Sequence, residues 1–293
     1  MTRDHPLLPF LSVTAGIATF SLMDAAMKSA SIMAGVYSAL LFRNLIASAL
    51  MVPAWLLTGG RPPGKGALKV HLLRSAVVSC MAPLFFWGLV RIPMAEAIAI
   101  SFIAPLIALY FAAVMLGEKI QPSAVVASLL GIAGVLGIGA ARFGSGELSR
   151  DSALGIAAIL TSAVFYAVNL VLQRRQALLA GPIEIAFFQN LIVALIFLLA
   201  APWLAVWPSP QALRDIALGG ALAVVALLLL SWGYARAEAQ VLVPIEYTGF
   251  LWAALFGWMW FGEALGLATV AGAALIVLGC WIAARKPTEQ TAL

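Results

Sequence analysis

Three ionisable residues, Asp24, Arg43 and Glu246, interrupt runs of the chain that are otherwise apolar. An ionised group in hydrocarbon costs roughly 3 kcal/mol or more, so each must face a partner, a ligand or a water-filled cavity. Arg43 can fork onto a carboxylate in a way no lysine can. Glu246 has no charged neighbour in sequence and can hold an ammonium or carry a proton. The plain alternative for all three is a structural ion pair, with Arg43 bonded to Asp24 or to Glu246.

Uncharged polar residues extend this set. Ser162, Tyr166, Asn169 and Gln173 fall at i, i+4, i+7 and i+11, which is one face of a helix. Ser21, Asp24 and Lys28 stand 145 residues before Tyr166, Asn169 and Gln173. Such a stripe is either hydrogen-bonded glue between helices, contributing about 1 kcal/mol per bond, or the wall of a cavity. Its length and its recurrence favour the cavity. In a second run Tyr37, Asn44 and Ser48 share a face, with Arg43 one step round. In a third, Gln189 and Asn190 lie deep, and Glu184 lies near the edge. The candidate substrate-binding set is therefore Asp24, Arg43, Asn44, Tyr166, Asn169, Gln189, Glu246 and its neighbour Tyr247. Asn44, Tyr166, Asn169 and Gln189 would hydrogen-bond the substrate. Arg43 and Glu246 would meet its charged ends, and Asp24 would gate or polarise the site.

The elements that position these residues follow from composition. Of 293 residues 63% are hydrophobic and 10% charged, with mean hydropathy +1.05. A soluble domain is about a quarter charged, so a soluble enzyme, a disordered chain and a nucleic-acid-binding domain are excluded. The net charge of +5 fits the lysine and arginine excess that orients membrane proteins. A crossing helix needs about 20 apolar residues. Ten such runs are present, at about 7–27, 36–57, 70–90, 93–116, 122–141, 153–173, 183–207, 212–234, 239–261 and 265–284. The expected fold is thus an all-α polytopic membrane protein in contact with a lipid bilayer.

Ten spans put Arg3, Arg61, Lys65, Lys69, Arg74, Lys119, Arg174, Arg175, Arg236, Arg285 and Lys286 on one side. Lys28, Arg91, Arg142, Arg150 and Arg214 fall on the other. That imbalance places both termini in the cytoplasm. Arg43 alone lies well inside a span on this reading.

The offset of 145 residues runs through the whole chain. Trp87-Gly88 matches Trp232-Gly233, Arg91 matches Arg236, and Gly117-Glu118 matches Gly262-Glu263. Two halves are expected, 1–145 and 146–293, each with five spans. Five is odd, so the second half enters the membrane from the opposite side. Inverted repeats of this kind serve alternating access in secondary transporters. The other reading is an old duplication with no mechanistic role. A cleavable signal peptide is disfavoured, because the first span has a partner in the second half.

Spans 5 and 10 carry small residues every four positions, Ser123, Ala127 and Gly131, then Ala264, Ala268 and Gly272. This spacing permits close helix contact and marks a scaffold or a homodimer face. Pro105 and Pro244 are expected kinks, and Glu96 and Glu238 are expected at the interface. Trp87 and Trp232 read as interface anchors, and Trp252 as packing. Cys80 and Cys280 read as small packing residues without a disulfide. No P-loop and no HExxH motif is present, and His5 and His71 are too far apart to suggest a metal site. The expectation is no cofactor, no metal, no nucleic acid and no enzymatic activity.

Two stretches carry a resemblance. One runs from Ala95-Glu96-Ala97 through Ala104-Pro105 to Leu116-Gly117-Glu118. The other runs from Pro244-Ile245-Glu246-Tyr247-Thr248-Gly249 through Trp252-Ala253-Ala254 to Phe261-Gly262-Glu263. Together with ten spans in two halves, the chain resembles the EamA-type branch of the drug/metabolite transporter (DMT) superfamily. It is similar in particular to bacterial YddG-like exporters of aromatic and other neutral amino acids. The resemblance implies an inner-membrane exporter with a central cavity lined by spans 1–4 and 6–9, and with spans 5 and 10 peripheral. Transport would run on the substrate gradient or on proton exchange, for which Asp24 and Glu246 are the plausible carriers. A transporter of nucleosides, riboflavin or drugs on the same scaffold is the alternative.

Overall fold

The computed structural model describes residues 7–104, 106–108, 110–111, 122–144, 149–234, 236, 245 and 247–284. They form ten helices: α1 (Leu8–Ala34), α2 (Val36–Leu57), α3 (Lys65–Leu89), α4 (Met94–Ser101), α5 (Pro122–Gly144), α6 (Arg150–Ala177), α7 (Pro182–Leu204), α8 (Pro210–Tyr234), α9 (Gly249–Phe261) and α10 (Leu267–Ala284). No strand occurs among the described residues. Local chemistry sets several of the ends. Pro182 opens α7, where its missing N–H costs nothing. Ser149 caps α6 by accepting from the Ser152 N–H at 3.1 Å. A single residue, Gly35 at φ 76°, separates α1 from α2.

Six of the helices, α1, α2, α3, α6, α7 and α8, are long and apolar enough to cross a membrane. The runs at 93–116 and 239–261 do not form single long helices. Helix α4 stops at Ser101 and the chain turns at Phe102 and Ile103. Helix α9 starts at Gly249 after a turn at Tyr247 and Thr248. The first turn lies just before Pro105, which restricts the residue ahead of it and lacks an N–H. Pro105 and Pro244 themselves lie outside the described residues.

Helix α1 packs most extensively on α8, α3 on α6, α2 on α7, and α5 on α10. Glycine permits the closest of these approaches. A β-carbon on Gly134 would lie 2.5 Å from the Gly272 carbonyl oxygen, and one on Gly272 would lie 2.7 Å from that of Gly134. Gly134 and Gly272 therefore face each other within one chain, while Gly131 faces Leu106. On other faces of these helices Val125, Val126, Leu129 and Leu136 of α5 and Trp281 of α10 are exposed.

The core is apolar and continuous, with Met27, Leu40, Leu89, Ile92, Met94 and Ile100 fully buried. The outer surface is equally apolar, and Leu57, Trp203 and Leu267 are largely exposed. So large an exposed apolar surface suits lipid, not water.

Four expectations about placement change. Lys28 and Arg74, assigned to the polar edges, sit within α1 and α3 and are held inside the bundle. His71 is fully buried. Glu96 is buried too, and accepts a hydrogen bond from Thr269 Oγ1 of α10 at 3.3 Å. Cys80 is a free thiol on an exposed face, not a packing residue; the side chain of Cys280 lies outside the described set.

Candidate functional site

The polar stripe of α6 meets a cation that sequence reasoning assigned to a loop. Arg74 of α3 donates Nε to Asn169 Oδ1 at 2.8 Å and Nη2 to Gln173 Oε1 at 3.1 Å. Its Nη1 donates to Gln176 Oε1. The amide nitrogen of Gln176 donates to His71 Nδ1, and His71 Nε2 lies 3.1 Å from Glu184 Oε1 on α7. Since the Gln176 amide nitrogen can only donate, His71 Nδ1 is the acceptor there and Nε2 faces the carboxylate. Phe188 stacks on the imidazole at 5.6 Å between centroids. Above this cluster Ser162 donates to the Met81 carbonyl at 2.9 Å. Tyr166, at the exposed margin of the stripe, interacts electrostatically with Arg74. In this arrangement the α6 stripe is bonded to α3, Asn169 and Gln173 to Arg74 and Ser162 to the Met81 carbonyl.

The equivalent face of α1 is used differently. Ser21 donates to the Gly249 carbonyl at 3.4 Å. Lys28 forms a buried ion pair with Glu263, just past α9, and donates to the Ile92 carbonyl at 2.9 Å. The second oxygen of Glu263 accepts the Met94 N–H at 2.7 Å, at the start of α4. One carboxylate thereby ties α1, α4 and α9 together. It sits at the N-terminus of α4, where backbone N–H groups lack helical partners.

On the α1 face, between Ser21 and Lys28, stands Asp24. It interacts electrostatically with Arg43 of α2. Among the described residues no hydrogen bond or contact ion pair joins the two. The guanidinium instead rests 5.9 Å from the Phe86 ring centroid, and its Nη1 lies 3.9 Å from Met23 Sδ. Opposite charges are held near one another in an apolar bundle without direct contact.

Two further buried polar groups have no hydrogen-bond partner among the described residues: the whole side-chain amide of Gln189 on α7 and the indole N–H of Trp252 on α9. A buried unsatisfied donor or acceptor costs about 1–3 kcal/mol, a cost that a ligand removes. Asn44 is buried and satisfied within its own helix, donating to the Leu40 carbonyl at 2.7 Å. Tyr247 packs edge-on against Phe102, 5.3 Å between centroids. These two rings occupy the two helix breaks and stand 145 residues apart. Glu246, like Glu238, lies outside the described residues.

The predicted set thus divides. Asp24 is brought to Arg43, Tyr166 and Asn169 are brought to Arg74, and Asn44 is turned to its own backbone. Gln189 is left open. Sequence reasoning missed Arg74, Gln176, His71 and the Lys28–Glu263 pair, and preferred packing to a cavity-lining role for Trp252. Gln176 was visible in principle, since it continues the stripe three residues past Gln173, but Arg174 and Arg175 look like the start of a loop. Trp87 and Trp232 hold their i+4 arginines against the ring, Arg91 at 3.4 Å and Arg236 at 4.1 Å from the centroids. A surface hollow lined by Lys65, Leu68, Lys69, Leu72 and Leu73 of α3 shares no residue with these groups.

An apolar outer surface with a few charged and amide groups turned inward defines a polytopic helical membrane protein whose polar groups are set in an apolar core. The chain belongs to the EamA-like transporter family, whose model matches residues 8–140 and again residues 153–285. It is 28% identical over 268 residues to the pseudopaline exporter CntI of Pseudomonas aeruginosa (strain UCBPP-PA14), covering 89% of this chain and 90% of that protein. It is 29% identical over 168 residues to the aromatic amino acid exporter YddG of Ancylobacter novellus, covering 56% of this chain and 57% of that one. A solved protein crystal structure shares the fold at TM-score 0.63 and 23% identity, over 94% of this chain and 99% of that chain.

Proposed function

We propose that this transporter is a secondary exporter of small zwitterionic metabolites, with aromatic and neutral amino acids as its substrates. It works by alternating access in the bacterial inner membrane with both termini in the cytoplasm. The observation that carries the substrate class is the Asp24–Arg43 arrangement. An ammonium and a carboxylate on one small molecule satisfy both residues at once, each with a charge-assisted hydrogen bond. Gln189 and Trp252 supply buried donors, and Gln189 an acceptor, for the rest of the ligand. The likeness to the aromatic amino acid exporter supports the same substrate class.

Two inverted five-helix halves, 1–145 and 146–293, are part of this reading. The two stretches matched by the family start and end 145 residues apart. The helix breaks at Phe102–Ile103 and Tyr247–Thr248 keep the same spacing. Exchanging the halves also turns the α1–α8 contact into the α6–α3 contact. These regularities support a site opened alternately to either side. A second reading is export of pseudopaline, favoured by the relative that matches along 89% of this chain.

Flux into proteoliposomes tests both. The panel holds aromatic and neutral amino acids, pseudopaline, riboflavin, nucleosides and cationic drugs, with and without a pH gradient. Amino-acid flux that falls at least about tenfold in Asp24→Asn and Arg43→Gln, a loss of ~1.4 kcal/mol each, is expected. Absence of any amino-acid flux overturns the substrate class. Proton coupling that survives Asp24→Asn with Glu246→Gln overturns these two residues as carriers.

A further inference from the structure

We infer that the Lys28–Glu263 clamp and the Arg74–Gln176–His71–Glu184 cluster are opposing gates of one transport pathway, so that one must open while the other stays shut. The inference rests on the alternating-access reading and assigns its moving contacts. Three observations carry it.

First, the two sit in opposite halves of the bundle. Helices α1 and α3 flank α2 through short connections, Gly35 alone and residues 58–64, so they run in the same direction. Lys28 lies in the last two turns of α1, whereas His71 and Arg74 lie in the first three turns of α3. Second, each joins the two halves of the chain. Lys28 and the Met94 N–H belong to the first half and Glu263 to the second. Arg74 and His71 belong to the first, and Asn169, Gln173, Gln176 and Glu184 to the second. Relative motion of the halves must therefore break one or both.

Third, each gate buries a hydroxyl that this arrangement leaves unpaired. Ser31, one helical turn beyond Lys28, and Ser75, next to Arg74 and one turn beyond His71, both have a side-chain oxygen out of water with no hydrogen-bond partner among the described residues. Opening at either end hydrates the hydroxyl there. Nor can one gate replace the other by symmetry. The positions 145 residues from Arg74, His71 and Glu184 hold Gly219, Ile216 and Ala39, none able to rebuild the cluster. Closure at the far end falls to Lys28 and Glu263.

Cysteine accessibility in the full chain decides the matter. Cys80 and Cys280 are replaced by alanine, and Ser31→Cys or Ser75→Cys is introduced as reporter. Reaction with a membrane-impermeant methanethiosulfonate is followed in proteoliposomes, from either side, without substrate. Glu263→Gln should speed labelling at position 31 by about tenfold and slow it at position 75. Arg74→Gln should do the reverse. A misfolded variant exposes both reporters, so parallel acceleration overturns the gates, as do rates unchanged at both. Because no substrate is added, failed amino-acid flux with reciprocal labelling removes the substrate reading and leaves the gates standing. Flux with non-reciprocal labelling does the opposite.

Discussion

Replacing Lys28 by methionine removes the ammonium facing Glu263 and leaves that carboxylate inside the bundle with only the Met94 N–H. Removing one member of a buried pair costs about 3–5 kcal/mol, because the survivor remains an uncompensated charge. Glu263→Met is expected to be slightly milder. The stranded ammonium keeps the Ile92 carbonyl at 2.9 Å and the Phe261 ring at 5.0 Å, a contact contributing about 0.5–2 kcal/mol. The double variant carries no charge at this site. It leaves the Met94 N–H and the Ile92 carbonyl short of a partner, at about 1–3 kcal/mol. The double variant should therefore be more stable than either single one, with a coupling energy of at least about 2 kcal/mol. Detergent-solubilised protein, unfolded reversibly with dodecyl sulfate and followed by tryptophan fluorescence, gives the four stabilities. Single losses below about 1 kcal/mol, or losses that add within about 0.5 kcal/mol, refute the argument that this pair is buried and mutually dependent.

Gly134→Ala places a methyl 2.5 Å from the Gly272 carbonyl and should destabilise by about 1–3 kcal/mol. Gly137→Ala, with nothing within 4 Å, should gain up to about 1 kcal/mol in the same unfolding assay. Gly262 ends α9 at φ 64°, so Gly262→Ala should cost about 1 kcal/mol. Gln189→Leu and Trp252→Phe remove polar atoms that have no partner among the described residues. Stability should hold or rise in both, while substrate flux falls; a stability loss above about 1 kcal/mol would show that these groups are structurally bonded instead.

The fold was legible because lipid imposes a crude rule. Every span must be apolar over about 20 residues, and the glycine and proline punctuation between spans is plain. What could not be read is where the rule bends. The runs at 93–116 and 239–261 are as hydrophobic as the others, yet each breaks near a proline, and hydropathy is blind to backbone hydrogen bonds. Lys28 and Arg74 were misplaced for a related reason. A cation six to nine residues from a helix end can snorkel to water or turn inward to a carboxylate or an amide oxygen, and only the distant partner decides. Glu263 lies 235 residues from Lys28, and Gln176 lies 102 from Arg74. The polar face of α6 was correctly located from its spacing, but spacing cannot say whether a face looks onto water or onto an arginine. Asp24 and Glu246 stood as equal alternative partners for Arg43; Asp24 interacts with it electrostatically but without direct contact, and Glu246 lies outside the described residues.

The connection between α1 and α2 is one glycine long. A linker of that length stores no slack, so a tilt at the end of α1 is handed directly to the start of α2. Lys28 stands seven residues before Gly35 and Arg43 eight after it. The two cations are thus the ends of a bent lever with its elbow at Gly35. On the proposed alternating-access reading, breaking the bond at one end moves the charge at the other, and a substrate bound beside Arg43 pulls back on the clamp. Mechanical work can pass between site and gate through the covalent chain alone, without a relay of side chains between them.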